Sequence, residues 1–437
     1  MNRKIFLEIT MAKKQIDIQG RAVRQFCRQA SRCRMCRSDE LLEYLDLGFT
    51  PPADQFRTQE ERGVPEIFYP LKVNLCLACG LSQLSHVVDP RVLYQHDYLY
   101  ESSTTRTGQQ HWEELSLSVI KRLGLSAGSL VVDIGSNDGT LLKFFKQKGM
   151  KVVGVDPALN IVKIANQQNK IKTICDFFSR RTAKSIKRKF GLASVITGTN
   201  VFAHVDDLVS LIKAVKFLLK RDGVFIFESP YFQNLVDQLQ YDTIYHEHLS
   251  YLSLRPLRPF FAKFGMEVFA IEQTSIHGGS FRVYVGRKGV WSVDQSVGKL
   301  IKQEKSRGLH ELDFMKKFAK RVYQNREDLN WLIEQLLHQG KRIVAVSASA
   351  KGMTLLNFCG LTRRQLEFVA EKSRLKIGRF TPGGKIPIVS DQKFLAEQPD
   401  YALLLAWNFS KEITKNLKPF SDRGGHFIIP VPKPKII

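Results

Sequence analysis

The chain has 437 residues, room for two to four domains of ~100–200 residues each. Only 43% of them are hydrophobic and no run approaches the ~20 apolar residues of a membrane helix, while MNRKIFLEITMAKKQIDIQG lacks the apolar core and small-residue cleavage site of a secretory signal; the expected compartment is the cytoplasm. A net charge of +24 favours anionic partners, nucleic acid or phosphate-bearing small molecules, without choosing between them, and a run such as KSIKRKF (184–190) reads equally as a solvated face.

Residues 1–30 form a basic extension. Within 31–95, four of the seven cysteines stand as Cys33-Arg-Met-Cys36 and Cys76-Leu-Ala-Cys79. Two such pairs supply a closed tetrahedral thiolate set for a structural Zn²⁺, whereas a redox motif needs a single CxxC beside a βαβ unit. Between them LGFTPPADQF carries turn chemistry, with Pro51 and Pro52 barring a helix. Cys27, Cys175 and Cys359 read as ordinary small residues.

Residues 96–290 open with SLVVDIGSNDGTLLKFFKQKGMKVVGVDPALNIVKIA, an apolar run, a Gly-rich turn, a helix and a second apolar run: a β-α-β unit. The loop DIGSNDG lacks the full GxGxxG that brings a dinucleotide pyrophosphate onto a helix N-terminus. It suits S-adenosylmethionine, which carries no phosphate and has a cationic sulfonium. Gly135 and Gly139 permit close approach, Asp133 and Asp138 supply compatible charge, and Asp156 ends the second strand where ribose hydroxyls would lie. Asp176 and Phe177 are placed to meet an adenine amino group and ring, and Asn137 and Asn200 complete the cofactor candidates. Further strands are expected at 172–178, 193–205 and 223–230 with helices between them, giving a mostly parallel sheet covered on both faces.

The stretch YDTIYHEHLSYLSL (241–254) sets His246, Glu247 and His248 behind Tyr245. A methyl donor facing a carbon nucleophile requires a general base near neutrality, usually imidazole, and a donor aimed at the developing enolate oxygen. An extended segment would put His246 and His248 on one face and Glu247 on the other; a helix would splay all three. An idle polar cluster or a second metal site are the competing readings. Residues 291–340 have the spacing of an amphipathic helical linker, and 341–437 give a strand, a Gly/Ala/Ser loop and a helix in RIVAVSASAKGMTLLNFCG, followed by strands in LEFVAEK and YALLLAWNF.

In order, CRMC, YPLKVNLCLACGLSQL, YLYESS, VVDIGSNDGTLL, GTNVFAHV, DTIYHEHLSYLS, HGGSFRVYV, SASAKGMTLLNFCG, GRFTPGGKIPI and PDYALLLAWNF resemble the S-adenosylmethionine-dependent sugar C-methyltransferases, from about Cys33 to the C-terminus. The resemblance implies a class I methyltransferase Rossmann-like α/β domain, flanked by a small zinc-binding domain and a C-terminal Rossmann-like domain that closes over a nucleotide-sugar. It implies that His248 removes the proton alpha to a 4-keto group. Tyr245 and Glu247 flank it, Tyr100 reaches in from YLYESS, and His204 and His277 lie in or near the cleft. Arg282, Lys351 and Lys376 are candidates for the substrate diphosphate. The sequence departs from the family pattern at Ser347, where Gly is usual, and at Glu371, where Asp is frequent. Two rivals stand beside this reading: a methyltransferase acting on RNA or another small molecule, and a catalytically silent zinc-bearing binding module.

Overall fold

A computed structural model of the protein describes residues 26–94, 99, 101–103 and 106–437, without the side chains of Arg106 and His277. Most of the basic extension and Tyr100 lie outside the described residues.

The N-terminal part is built on antiparallel strands. β1 (Cys27–Gln29) pairs with β5 (His86–Val88), while β2 (Leu41–Thr50), β3 (Tyr69–Cys76) and β4 (Ser82–Leu84) form a meander. Strand β11 (Ser250–Tyr251), which follows His248 by two residues, adds to the free edge of β4, and the Leu84 N–H donates to the Leu249 carbonyl at 3.0 Å. The HEH stretch is thereby held at one end by the cysteine-bearing sheet.

The middle of the chain forms a seven-stranded sheet from β6 (Leu130–Ile134), β7 (Lys151–Asp156), β8 (Thr173–Cys175), β9 (Ala193–Thr199), β10 (Leu219–Pro230), β12 (Met266–Thr274) and β13 (Ser280–Arg287). Its order is β8-β7-β6-β9-β10-β13-β12, parallel except for β13, which runs against both neighbours. This is the class I methyltransferase Rossmann-like fold. Along β6 the side chains alternate: Leu130, Val132 and Ile134 enter one core and Val131 the other, so helices cover both faces. Strand order reverses between β6 and β9, which opens a crevice at their C-terminal ends.

The C-terminal part repeats the scheme with β14 (Ile343–Val346), β15 (Val369–Glu371), β16 (Ile388–Ser390), β17 (Tyr401–Leu404), β18 (His426–Ile429) and β19 (Lys435–Ile436), in the order β16-β15-β14-β17-β18-β19. Only β19 is antiparallel. Its switch point, between β14 and β17, faces the same cavity as the first.

Two helices, Gln295–Ser306 and Leu312–His338, occupy the stretch expected as one bridge, and Gly308, at φ +64°, turns the chain between them. The second, about 40 Å long at ~1.5 Å per residue, buries Met315, Phe318, Val322, Leu329, Ile333 and Leu336 in a core shared with β2, β3 and the C-terminal sheet. Tyr323 donates to the Asp46 carbonyl at 3.0 Å, and Asn325 to the Pro430 carbonyl at 3.0 Å.

The first of these helices carries buried Glu304 to the start of another, Leu254–Ala262. Its carboxylate accepts the N–H groups of Leu254 (2.6 Å) and Arg255 (2.9 Å) and the Tyr231 hydroxyl (3.1 Å), capping that helix from a distance. Glu304→Ala removes the acceptor of these three donors, only the Tyr231 hydroxyl having another in Gln233 at 3.3 Å, and is expected to cost about 3 kcal/mol. Glu304→Gln, which keeps an acceptor, should cost roughly a third of that. Urea midpoints of the two variants check this; equal stability would mean that water replaces the cap.

Candidate active site

The crevices of the two parallel sheets and the inner edge of the N-terminal part enclose a cavity of about 2200 Å³. Single small-molecule sites span ~300–1,000 Å³, so this volume suits two ligands side by side. The N-terminal part is also joined directly to the C-terminal part, where Arg57 and Phe380 exchange backbone hydrogen bonds at 3.0 and 2.8 Å.

The methyltransferase crevice is shaped by the glycine loop. Gly135 has φ +67°, and a Cβ there would lie 2.3 Å from Val201 Cγ2, so the backbone can line the cavity only as glycine. Gly139, at φ +81°, starts the helix Thr140–Gln147 behind it. Asp156 accepts the N–H groups of Asn137 and Ala158, both at 2.9 Å, which fixes its carboxylate at the cavity wall. Asn137 in turn accepts from the Ser102 N–H and hydroxyl at 2.9 Å, drawing the stretch next to Tyr100 over the loop. Phe177, Asp176 and Asn200 also line the cavity, Asp176 pairing with Arg181 at 2.6 Å.

Besides Gly139, two cofactor candidates sit behind the wall rather than on it. Asp133 accepts the Thr197 hydroxyl at 2.6 Å, and burial pushes its carboxyl up to about 7; Asp138 accepts from the Thr140 hydroxyl (2.6 Å) and the Ser103 N–H (3.1 Å). Both hold the loop in shape. Gly135→Ala is expected to weaken S-adenosylmethionine binding about tenfold, because the left-handed conformation costs ~1–2 kcal/mol for other residues and the methyl collides with Val201. Calorimetric titration reads this, and an unchanged affinity would remove the loop from the cofactor site.

The HEH stretch is neither strand nor helix. A 3-10 turn, Tyr241–Thr243, leads into a reverse turn closed by the His248 N–H on the Tyr245 carbonyl at 2.9 Å. Consequently His246 leaves its neighbours: its Nε2 meets the Tyr69 carbonyl at 3.4 Å, its ring packs edge-on against Tyr69, and burial lowers it to about 4. His248 stacks on Tyr245, with ring centres 3.9 Å apart, and against His204 at 4.9 Å. Its Nδ1–H donates to the Thr243 carbonyl at 2.6 Å, so in the neutral ring Nε2 is the basic nitrogen. The sequence pattern carries a strand through FAHV, but the chain turns at Asn200 (φ +55°) into the 3-10 helix Phe202–His204, which brings His204 beside His248. Burial and the nearby His248 hold His204 well below the ordinary imidazole range.

Both carboxylate oxygens of Glu247 are buried at the cavity without a hydrogen-bond partner among the described residues. Burial and, secondarily, Asp54 of the PPADQF loop push this carboxyl from 4.5 up to about 8. Between those two values the folded protein binds more protons than the unfolded chain, so stability falls as pH rises. Glu247→Gln escapes that loss: its advantage over the wild type is expected to be nearly absent near pH 4.5 and to reach about 4 kcal/mol by pH 8. Urea melts at both pH values test this, and a constant difference would place the ionised carboxylate in contact with water.

On the C-terminal side, Lys351 and Lys376 line the cavity, Lys376 donating to the Ala348 carbonyl at 2.7 Å. Arg282 corrects an expectation. It is buried on β13 and does not line the cavity, three of its five guanidinium N–H groups going to Glu228 (3.0 and 3.2 Å) and Glu272 (2.9 Å), whose charges it answers. His277 belongs to the turn Ile276–Gly278, and its side chain is outside the described set. Ser347 holds φ +70°, the conformation for which glycine is usual, and Glu371 accepts from the N–H groups of Ala348, Lys372 and Ser373 at 2.7–2.9 Å, fixing the same loop.

In the N-terminal part Cys33 Sγ lies 3.6 Å from Cys79 Sγ and Cys36 Sγ 3.5 Å from Cys76 Sγ, and all four sulfurs fall within 4.8 Å of one another. Tetrahedral Zn–S bonds of ~2.3 Å place sulfurs about 3.8 Å apart, so the set fits zinc. Each pair is followed by a left-handed residue, Arg37 (φ +72°) or Gly80 (φ +82°), whose N–H returns to the first cysteine's carbonyl.

Three family models match in succession: "Putative zinc binding domain" over residues 33–94, "Methyltransferase domain" over 109–271 and "C-methyltransferase C-terminal domain" over 275–432. The C-methyltransferase NovU of Streptomyces niveus is 36% identical over 411 residues, covering 94% of this chain and 97% of that protein. The chain belongs to the C-methyltransferase family. It is an S-adenosylmethionine-dependent C-methyltransferase with a zinc-binding N-terminal part. The ubiquinone biosynthesis O-methyltransferase of Acinetobacter baylyi is 26% identical over 34% of this chain and 65% of its own length. An S-adenosylmethionine-dependent methyltransferase structure from Clostridium acetobutylicum aligns with 41% of this chain and 92% of its own, at 16% identity and a TM-score of 0.34.

Sequence reasoning about this C-methyltransferase passed over two cavity-lining groups, Asp54 and Tyr94, and one buried behind the wall, Asp242. Asp54 follows the proline pair on the N-terminal loop, and Tyr94 stacks on His204 at 6.1 Å. Asp242, inside the quoted HEH stretch, was legible as a carboxylate but gave no sign of its partners, which lie more than a hundred residues away.

Proposed function

We propose that this C-methyltransferase acts in the cytoplasm on a nucleotide-linked 4-keto sugar, methylating the carbon alpha to the ketone. The observation that carries the reading is the Nδ1–H of His248 on the Thr243 carbonyl, which presents Nε2 as a base in the cavity that Asp156 and Lys351 also line. S-adenosylmethionine, held by Gly135, Asn137, Asp156, Phe177 and Asn200, supplies an electrophilic methyl group. His248 takes the alpha proton onto Nε2, which leaves an enolate that must be stabilised at its oxygen. Glu247, still protonated near neutral pH, donates its O–H to that oxygen, with Tyr245 and Tyr100 flanking it. His204 stays neutral beside His248 and adds no opposing charge to the imidazolium. Lys351, Lys376 and the first turn of the helix Ala350–Cys359 receive the diphosphate. The cavity volume supports a cofactor and a nucleotide-sugar bound together.

The test is methyl transfer from labelled S-adenosylmethionine to a panel of nucleotide-linked 4-keto sugars, with deuterium exchange followed at the alpha carbon. Transfer to a member of the panel with concurrent exchange supports the reading; transfer to RNA with none to the panel overturns it.

A further inference from the structure

Asp242 is fully buried, three residues ahead of Tyr245, and belongs to neither wall of the cavity. Its Oδ2 accepts the indole N–H of Trp407 at 2.7 Å and stands 3.5 Å from Lys351 Nζ, which itself lies 4.0 Å from the centre of the Trp407 ring. Both partners come from the C-terminal sheet: Lys351 from the first turn of the helix Ala350–Cys359, Trp407 from the loop after β17. On its other side, the next residue is Thr243, whose carbonyl sets the His248 tautomer. The Tyr241 hydroxyl, which also senses this carboxylate, is engaged with Asn325 at 2.8 Å.

A buried carboxylate is an expensive way to accept one indole N–H, for which an amide would serve. Its second oxygen, Oδ1, has no partner among the described residues. The charge is therefore answered by Lys351, and burial opposes both: it raises the Asp242 carboxyl and lowers the Lys351 ammonium, each ion supporting the other. Lys351 lines the cavity, whereas Asp242 does not.

We infer that Asp242 is a positioning residue: by holding Lys351 and Trp407 against the 3-10 turn Tyr241–Thr243, it links occupancy of the anion-binding end of the cavity to the orientation of His248. The link rests on reading His248 as the base. An anionic group arriving at Lys351 favours the charged lysine and with it the ionised Asp242, which tightens the turn that carries the Thr243 carbonyl. Phosphate-end binding and base orientation are then one event rather than two.

The experiment compares Asp242→Asn, which is nearly isosteric and keeps an acceptor for Trp407, with Lys351→Met and the double variant. For each, kcat and KM are measured on a nucleotide-linked 4-keto sugar, together with alpha-carbon exchange in D2O and S-adenosylmethionine affinity. A substrate-free readout accompanies them: the tautomer and titration of His248 by ¹⁵N NMR, its signal identified by loss in His248→Asn. Expected are losses of about tenfold in kcat and exchange and a comparable rise in KM for either single variant, with the double no worse than the poorer single. Cofactor affinity should hold within about twofold, and the His248 signal of Asp242→Asn should move away from the Nδ1–H tautomer. Multiplying effects in the double variant, or a His248 signal identical to wild type in Asp242→Asn, overturns the link. If the wild type catalyses no exchange on any 4-keto sugar while the Asp242→Asn signal moves, the positioning of His248 stands and its role as base falls.

Discussion

His248→Asn is expected to lower kcat by about a thousandfold while changing S-adenosylmethionine affinity by no more than about twofold. Asparagine keeps a side-chain N–H for the Thr243 carbonyl, so the turn survives while the nitrogen proposed to take the proton disappears. The magnitude follows from the usual worth of a positioned general base, ~10²–10⁴-fold, with desolvation in a buried site placing it toward the upper half. Alpha-carbon exchange distinguishes the roles. A base mutant loses exchange and methylation together, whereas a mutant that merely misplaces the methyl donor keeps exchange. Wild-type exchange in His248→Asn would reassign the base, and His204 would then be the neighbouring imidazole to test, 4.9 Å away.

Loss of the metal is the second large effect. In the metal-depleted protein, or in Cys76→Ser, we expect a loss of about 5 kcal/mol and nearly complete loss of methyl transfer, with cofactor binding largely retained. Structural zinc contributes ~10–16 kcal/mol in isolated finger peptides, and the figure is reduced here because Leu71, Val73 and Leu75 of β3 keep their packing in the shared core. The separation of effects comes from topology: the cofactor loop hangs on β6 and β7, but the HEH turn is tied to β4 through β11. Zinc analysis, thermal melts and cofactor titration on the same sample decide it. Unchanged activity without metal would detach the cysteine cluster from the active site.

Much of this was legible in the sequence because it is local. The strand, glycine loop and acidic strand end from Leu130 to Asp156 specify their own geometry, and the two CxxC pairs announce a four-thiolate set by their spacing alone. What local pattern leaves open is the direction in which adjacent side chains point. Tyr245 to His248 alternate like a strand, yet the carbonyls of Tyr245 and Thr243 fold them into a turn that sends His246 to Tyr69 and His248 to His204. Arg282 sits in a motif that suggests an anion ligand, and only the long-range arrival of Glu228 and Glu272 shows that the guanidinium answers their charges. FAHV reads as the end of a strand because its apolar residues alternate; the left-handed Asn200, whose N–H goes to the Glu228 carbonyl at 2.7 Å, ends the ladder early.

The pairing of β11 with β4 joins residues 82–83 to residues 250–251, on either side of the five strands β6 to β10 of the methyltransferase sheet. During synthesis the cysteine-bearing sheet leaves the ribosome first and waits with an open edge, which the HEH turn reaches only after five of the seven central strands have been made. That edge acts as a template on which the turn is cast. Grafting the central sheet into another scaffold without residues 69–84 would therefore transplant a cofactor-binding module and leave its chemistry behind.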